Sequence, residues 1–273
     1  MNSIINFADL GLSPIIFEVG GFALRWYSLA YIGGLFFGGW LLNKMVGKSN
    51  APMTGDDVDD FLLWAIAGVV LGGRLGYVLF YNPAKYIADP LQAFAIWKGG
   101  MSFHGGVLGV LLAILIFAYR RKIQWLRLAD YVVCVYPFAH MLGRLANFIN
   151  GELWGRPTDG SWGMIFPLAG PEARHPSQLY QAGLEGLLPF IVLGWLFWRT
   201  DARNKPGFLV GAFCILMGIA RMVLELFREP DRNLGTLSFG LTMGQTLTIP
   251  ILIIGLWLLL RQFASPAKGV KTQ

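Results

Sequence analysis

The sequence predicts an all-α polytopic membrane protein, and three observations carry that prediction. Of 273 residues, 55% are hydrophobic and only 14% charged. An ordinary soluble domain has about 45–50% and about 25%. Seven apolar runs, near 23–42, 61–80, 104–118, 129–149, 178–198, 207–227 and 242–260, approach the ~20 residues that a helix needs to cross a bilayer. Backbone in hydrocarbon must satisfy its own hydrogen bonds, so each run is expected to be helical. This composition excludes a disordered chain, a collagen-like chain, a disulfide scaffold and an ordinary cytosolic enzyme. A single integral-membrane domain over 1–273 is expected.

Residues 1–22 carry no basic group ahead of the first apolar stretch. No cleavable signal is therefore expected, and the first span is retained. The acidic run Asp56–Asp57–Val58–Asp59–Asp60 stands before the second span. It reads as a helix N-terminus, where carboxylates suit the dipole. A hard-cation site is the lesser reading, because sequence adjacency does not supply a convergent cage. Residues 81–103 are semi-polar and aromatic-rich, and are expected along the membrane interface. The third run is short and the fourth is interrupted by polar residues. Cys134 and Cys214 lie in apolar runs without paired spacing, as packed small hydrophobes do. A short polar tail follows Arg261.

Lys and Arg in the connecting segments set the orientation. Segments 43–60, 119–128, 199–206 and 261–273 hold 2, 4, 3 and 3 of them, twelve in all. Segments 1–22, 81–103, 150–177 and 228–241 hold 0, 2, 2 and 2, six in all. The N-terminus is thus expected in the periplasm and the C-terminus in the cytoplasm. The net charge of +6 is spread in small groups with no single basic face, so no nucleic-acid partner is expected.

Polar groups inside the runs point to chemistry. Arg25, Arg74, Arg144 and Arg221 fall within them, with Glu185 and Glu225. An arginine at a helix centre costs about 2.5–3.5 kcal/mol on insertion scales; Arg25, at a span end, can snorkel. The expected topology puts all of these groups in the outer half of the bilayer. His140, Arg144 and Asn147 share a face at i, i+4 and i+7, and Gln178, Gln181 and Glu185 form a second stripe. Arg221 and Glu225 stand at i, i+4, which also suits a plain ion pair holding the bundle together. The arginine excess calls for an anion, and a phospholipid phosphate is the anion at that depth. His104 sits between Gly99–Gly100 and Gly105–Gly106, glycines that let backbone or ligand approach closely, and is a candidate general base. An anion or proton-coupled transporter, a metal-dependent lipid phosphotransferase and a non-catalytic assembly factor stay open as rival classes.

The stretch Gly143–Arg144–Leu145–Ala146–Asn147–Phe148–Ile149–Asn150–Gly151–Glu152–Leu153–Trp154–Gly155 resembles the signature of bacterial prolipoprotein diacylglyceryl transferases. So do Gly72–Gly73–Arg74, Phe103–His104–Gly105–Gly106, Arg174–His175–Pro176–Ser177–Gln178–Leu179–Tyr180 and Arg221–Met222–Val223–Leu224–Glu225, in order along nearly the whole chain. The resemblance implies a seven-span enzyme of the bacterial inner membrane with a periplasmic N-terminus. It implies transfer of the diacylglyceryl group of phosphatidylglycerol to the lipobox cysteine of a preprolipoprotein signal peptide, in a membrane of other lipids. The products are a thioether and glycerol phosphate, in the first step of lipoprotein maturation. Two departures stand out: Met217 occupies a position that is often tyrosine one turn before Arg221, and the 156–174 loop is shorter than in some relatives.

That reaction needs a proton acceptor for the thiol and a clamp for the departing phosphate. His104 is the expected base, and Arg144 and Arg221 are the expected clamps. Tyr27, Asn147, Glu152, Gly155 and Glu225 are expected at the substrate, Tyr27 equally as an interfacial anchor and Gly155 at a turn where backbone approaches the substrate. His140 is expected behind the reacting groups, and the role of His175 is open. No metal and no cofactor are required, since arginine can neutralise the single charge of a phosphodiester.

Overall fold

The apolar runs do close their own hydrogen bonds. The computed structural model describes residues 4–81, 83–229 and 240–264, and helix dominates them. Residues 230–239 and the tail from 265, both used in the charge count, lie outside the described residues. In chain order the elements begin with β1 (Ile5–Asn6), β2 (Ile15–Val19), β3 (Phe22–Arg25), α1 (Trp26–Val46), α2 (Gly55–Phe80) and α3 (Pro83–Ala88). Then come α4 (Phe103–Arg121), α5 (Trp125–Ile149), β4 (Met164–Ile165), β5 (Ala173–Arg174) and α6 (Ser177–Gln181). A π-helical stretch, Ala182–Leu187, joins α6 to α7 (Leu188–Arg199), and α8 (Phe208–Leu224) and α9 (Met243–Ala264) follow.

Among the described residues, six helical stretches are long and apolar enough to cross a membrane: α1, α2, α4, α5, Ser177–Arg199 and α9. The sixth expected run is the shorter apolar helix α8. Its 17 residues reach about 25 Å at about 1.5 Å per residue. The segment expected at the interface forms α3 and two short 3₁₀ turns, Pro90–Phe94 and Ile96–Lys98.

The first span starts later than its hydropathy suggests. Residues 22–25 are strand, and Arg25 pairs with Ile15 in a hairpin, so it is not an intrahelical charge. The turn is Gly20–Gly21, with φ of 57° and 82°, the pair of positive values that a two-residue hairpin turn demands. The second helix starts earlier, at Gly55, because Thr54 caps it. Thr54 Oγ accepts from the Asp57 amide at 3.2 Å and Asp57 Oδ2 accepts from the Thr54 amide at 3.0 Å. Asp57 and Asp60 also pair with Arg121. The acidic run is therefore a helix start.

The chain divides into two compact units, Gly39–Ala129 and Met1–Gly38 with Asp130–Gln273. In the first unit α2 packs on α4 through glycines. Gly68, Gly72 and Gly76 face Gly105 and Gly109, and a Cβ on Gly76 would lie 2.8 Å from the Gly105 Cα. Small residues at four-residue spacing let helix backbones close up in a membrane, where no hydrophobic effect drives helices together. Leu63, Leu71, Leu75 and Leu79 of α2 are 58–68% exposed, as a lipid-facing stripe is. In the second unit the fully buried Asp130 of α5 caps α8: its carboxylate accepts from the Gly207 amide at 2.7 Å and the Val210 amide at 2.9 Å. A small sheet, β1–β4–β5, docks the N-terminal segment on the 150–176 loop, with Phe7 packed among Phe148, Met164 and Phe166.

Candidate active site

In the second unit α5 aligns His140, Arg144 and Asn147 as its helical period requires, and the Ser177–Arg199 stretch and α8 bring their polar groups to that stripe. Glu185 is the bridge. Its Oε2 lies 3.1 Å from His140 Nε2, and its Oε1 lies 3.5 Å from Arg221 Nη1. Glu185 sits in the π-helical stretch, a local underwinding that often marks functional sites. Gly186 beside it permits the approach: a Cβ there would meet the Met141 backbone, 2.8 Å from its Cα. His140 Nδ1 is 3.2 Å from the Tyr136 hydroxyl.

The arginines differ in how they are held. Arg221 Nε stands 3.3 Å from Glu225 Oε2, the i, i+4 pair that the spacing permits, although that oxygen takes no aligned hydrogen bond. Arg228 Nη1 lies 3.8 Å from Glu225 Oε1. Arg144 Nε lies 3.4 Å from His140 Nε2, and among the described residues Arg144 makes no ion pair and no hydrogen bond through its terminal nitrogens. It lies within electrostatic range of Arg221, Arg228 and Glu185. Arg221 and Arg228 are thus held by glutamates, while the terminal nitrogens of Arg144 have no such partner among the described residues.

A second cluster adjoins through α5. Glu152 Oε1 accepts from Asn147 Nδ2 at 2.9 Å and from Asn150 Nδ2 at 3.1 Å. Gln178 Nε2 donates to the Glu152 carbonyl at 2.6 Å, and Ser177 Oγ to that of Leu153 at 3.0 Å. Tyr27, packed edge-on against Tyr31, lies within range of the charges of Glu152 and Arg144. The Oε1 atoms of Gln178 and Gln181 are buried without a hydrogen-bond donor among the described residues.

Gly155 is explained by the protein itself. A Cβ there would lie 2.8 Å from the His175 Cβ and would strike the Phe227 carbonyl. The 153–158 segment threads between 173–176 and 227–228: Gly155 N donates to His175 O at 2.9 Å and Arg156 N to Phe227 O at 2.9 Å. The backbone that approaches Gly155 is the chain's own. His175 Nδ1 accepts from Trp162 Nε1 at 3.4 Å and lies 3.3 Å from the Tyr180 hydroxyl, so it organises the outer loop. Burial holds its pKa below the usual histidine value.

His104 belongs to the other unit. It is the second residue of α4, exposed, with its ring edge-on to Phe103. Of the glycines after it, Gly105 packs against the backbone of Gly72 and Gly76, the backbone approach that its residue type allows.

A family model described as prolipoprotein diacylglyceryl transferase matches residues 14–261. The chain belongs to that family. Proteins named phosphatidylglycerol–prolipoprotein diacylglyceryl transferase resemble it from end to end. The one from Zymomonas mobilis subsp. mobilis is 50% identical over 95% of this chain and 94% of its own length. The one from Erythrobacter litoralis is 51% identical over 97% and 94%, and that from Rhodospirillum centenum 50% over 94% of each. Beside the thirteen-residue signature, the structure brings His140 and Glu185 to Arg144 and Arg221, and Gln178 to the Glu152 carbonyl. The signal that finds them is the burial price of polar groups inside apolar runs, since each must have a partner.

Proposed function

We propose that this chain transfers the diacylglyceryl group of phosphatidylglycerol to the lipobox cysteine thiol of a preprolipoprotein signal peptide. The observation that carries the assignment within the family is Arg144, a guanidinium whose terminal donors are open beside Arg221 and Arg228. That is an anion site shaped for bidentate recognition of phosphate.

The reaction makes one C–S bond and breaks one C–O bond. A thiol with a pKa near about 8.5 is mostly protonated at neutral pH, and its thiolate is the nucleophile. His104 takes the thiol proton. The sulfur attacks the glyceryl carbon that bears the phosphate ester, and the C–O electron pair leaves with the phosphate of glycerol phosphate. Arg144 and Arg221 bear the charge that develops there, with donors fixed in a water-poor site. Glu185 and Glu225 hold Arg221 in place; Asn147 and Asn150 hold Glu152 for the glycerol hydroxyls, beside Tyr27. Gly155 serves the site through the loop crossing. No step calls for a metal or cofactor, and activity is expected to survive chelation. The enzyme sits in the bacterial inner membrane as a multi-pass protein, N-terminus periplasmic, with its site toward the outer half of the bilayer.

The test is a mass assay. Purified protein in detergent is mixed with phosphatidylglycerol and a lipobox peptide carrying one cysteine. Gain of a diacylglyceryl mass with release of glycerol phosphate is the expected result. No gain, beside a working control enzyme, overturns the assignment and turns attention to anion flux.

A further inference from the structure

Arg74 stands apart from the other arginines of the spans. It is 6% exposed on α2, and a guanidinium carries five N–H donors. Five main-chain carbonyls take them. Nε donates to Ala93 O at 2.8 Å, Nη1 to Gly99 O at 2.5 Å and Gly100 O at 3.1 Å, and Nη2 to Gln92 O at 2.7 Å and Ala95 O at 3.2 Å. The rings of Tyr86 and Tyr77 lie 5.4 and 6.0 Å from the guanidinium carbon. Among the described residues Arg74 pairs with no carboxylate. A guanidinium so used has no donor left for a phosphate, which favours the structural reading that the Gly72–Gly73–Arg74 context leaves open.

Its contacts gather the stretch from Gln92 to Gly100, including the turns whose Gln92 and Ala95 carbonyls also accept main-chain amides. Where the contacts of Arg74 end, the backbone of α2 takes over: Ser102 N donates to Gly73 O at 2.8 Å. Ser102 then caps α4, its Oγ accepting from Gly105 N at 3.2 Å. His104 is the second residue of that helix. From Arg74 to His104 the path is one run of hydrogen-bonded main chain inside a single unit.

We propose that Arg74 is a positioning residue of the transfer reaction: it sets the course of residues 92–102 and so the orientation of the α4 turn that presents His104. This rests on the reading of His104 as the proton acceptor. Lysine cannot replace it, because an ammonium has three donors and no planar fork.

A double-mutant cycle decides it. Arg74→Lys, His104→Gln and the double variant are assayed with phosphatidylglycerol and lipobox peptide, each also followed by thermal unfolding. Arg74→Lys is expected to lower kcat about 10- to 100-fold, as a small displacement of a reacting group does, with KM for phosphatidylglycerol unchanged. The double variant is expected to be no slower than His104→Gln. A double variant slower by the product of the two losses overturns the proposal and leaves His104 as base. Full activity of Arg74→Lys also overturns it. Full activity of His104→Gln removes the underlying reading, and the proposal with it. If Arg74→Lys does not fold, Gly99→Ala takes its place in the cycle. Gly99 has φ 77° with open space where a Cβ would stand, so the change strains the backbone at a carbonyl Arg74 holds while filling no contact.

Discussion

Arg144 and Arg221 bear the same charge but are held differently. Arg221 lies between two buried carboxylates, Glu185 and Glu225. Arg144 has the ring of His140. Removing one partner of a buried ion pair leaves the other charge uncompensated, so Arg221 variants mix stability with function, whereas Arg144 variants report on the ligand. Arg144→Lys keeps the charge and loses the fork. Charge-assisted hydrogen bonds contribute about 1.5–3 kcal/mol, so kcat/KM should fall about 10- to 100-fold with the melting temperature unchanged; transfer kinetics and thermal unfolding check both halves. His175 makes a pH prediction. Its folded pKa lies below the ordinary 6.5, so the unfolded chain binds its proton first as pH falls. The contribution of neutral His175 is present above pH 6.5 and is lost as pH drops through the folded value. His175→Gln should flatten that acid loss of stability, as thermal unfolding between about pH 5 and 7.5 would show. An unchanged slope would mean that other groups set it.

At the scale of elements, buried polar contacts decide where helices start and what they meet. Asp130 supplies the cap that α8 lacks locally, since Gly207 at its N-terminus has no side chain to offer. Asp130→Ala is therefore expected to destabilise the protein by about 1–3 kcal/mol, through an unsatisfied helix end. Asp130→Asn should recover part of the loss by keeping one acceptor oxygen. Thermal unfolding in detergent measures both, and equal stability of all three proteins would remove the cap. The α2–α4 seam shows the opposite device. There glycines remove side chains so that the two backbones meet, and the motif Gly72–Gly73–Arg74 combines both functions. Gly72 closes the seam, Gly73 offers its carbonyl to Ser102, and Arg74 collects the carbonyls of 92–100. The π-helical stretch at 182–187 is a third device, carrying Glu185 to both His140 and Arg221.

For the whole molecule the remaining prediction is its orientation. The basic residues of 119–128 are expected in the cytoplasm and segment 81–103 on the outer side. Reporter fusions at those two segments should give opposite signals, cytoplasmic for the first and periplasmic for the second. The reverse pattern would put the site at the inner face.

The sequence by itself determined that the chain is helical and membrane-embedded, and nearly where each helix lies. Hydrocarbon leaves backbone no other choice, and apolar runs of about 20 residues are legible by length alone. It also determined the family, through a thirteen-residue signature and motifs in order. The α5 stripe of His140, Arg144 and Asn147 was legible because helical periodicity is a local property. Only the tertiary structure decided which charges cancel. Arg25 pairs in a hairpin, Arg74 is spent on carbonyls, Arg221 lies between two glutamates and Arg144 keeps open donors. Position and spacing set Arg25 and Arg221 apart in the sequence, but do not separate Arg74 from Arg144. The carbonyls around Arg74 and the Glu185 carboxylate beside Arg221 come from other elements, and a charge inside an apolar run is defined by the groups that neutralise it.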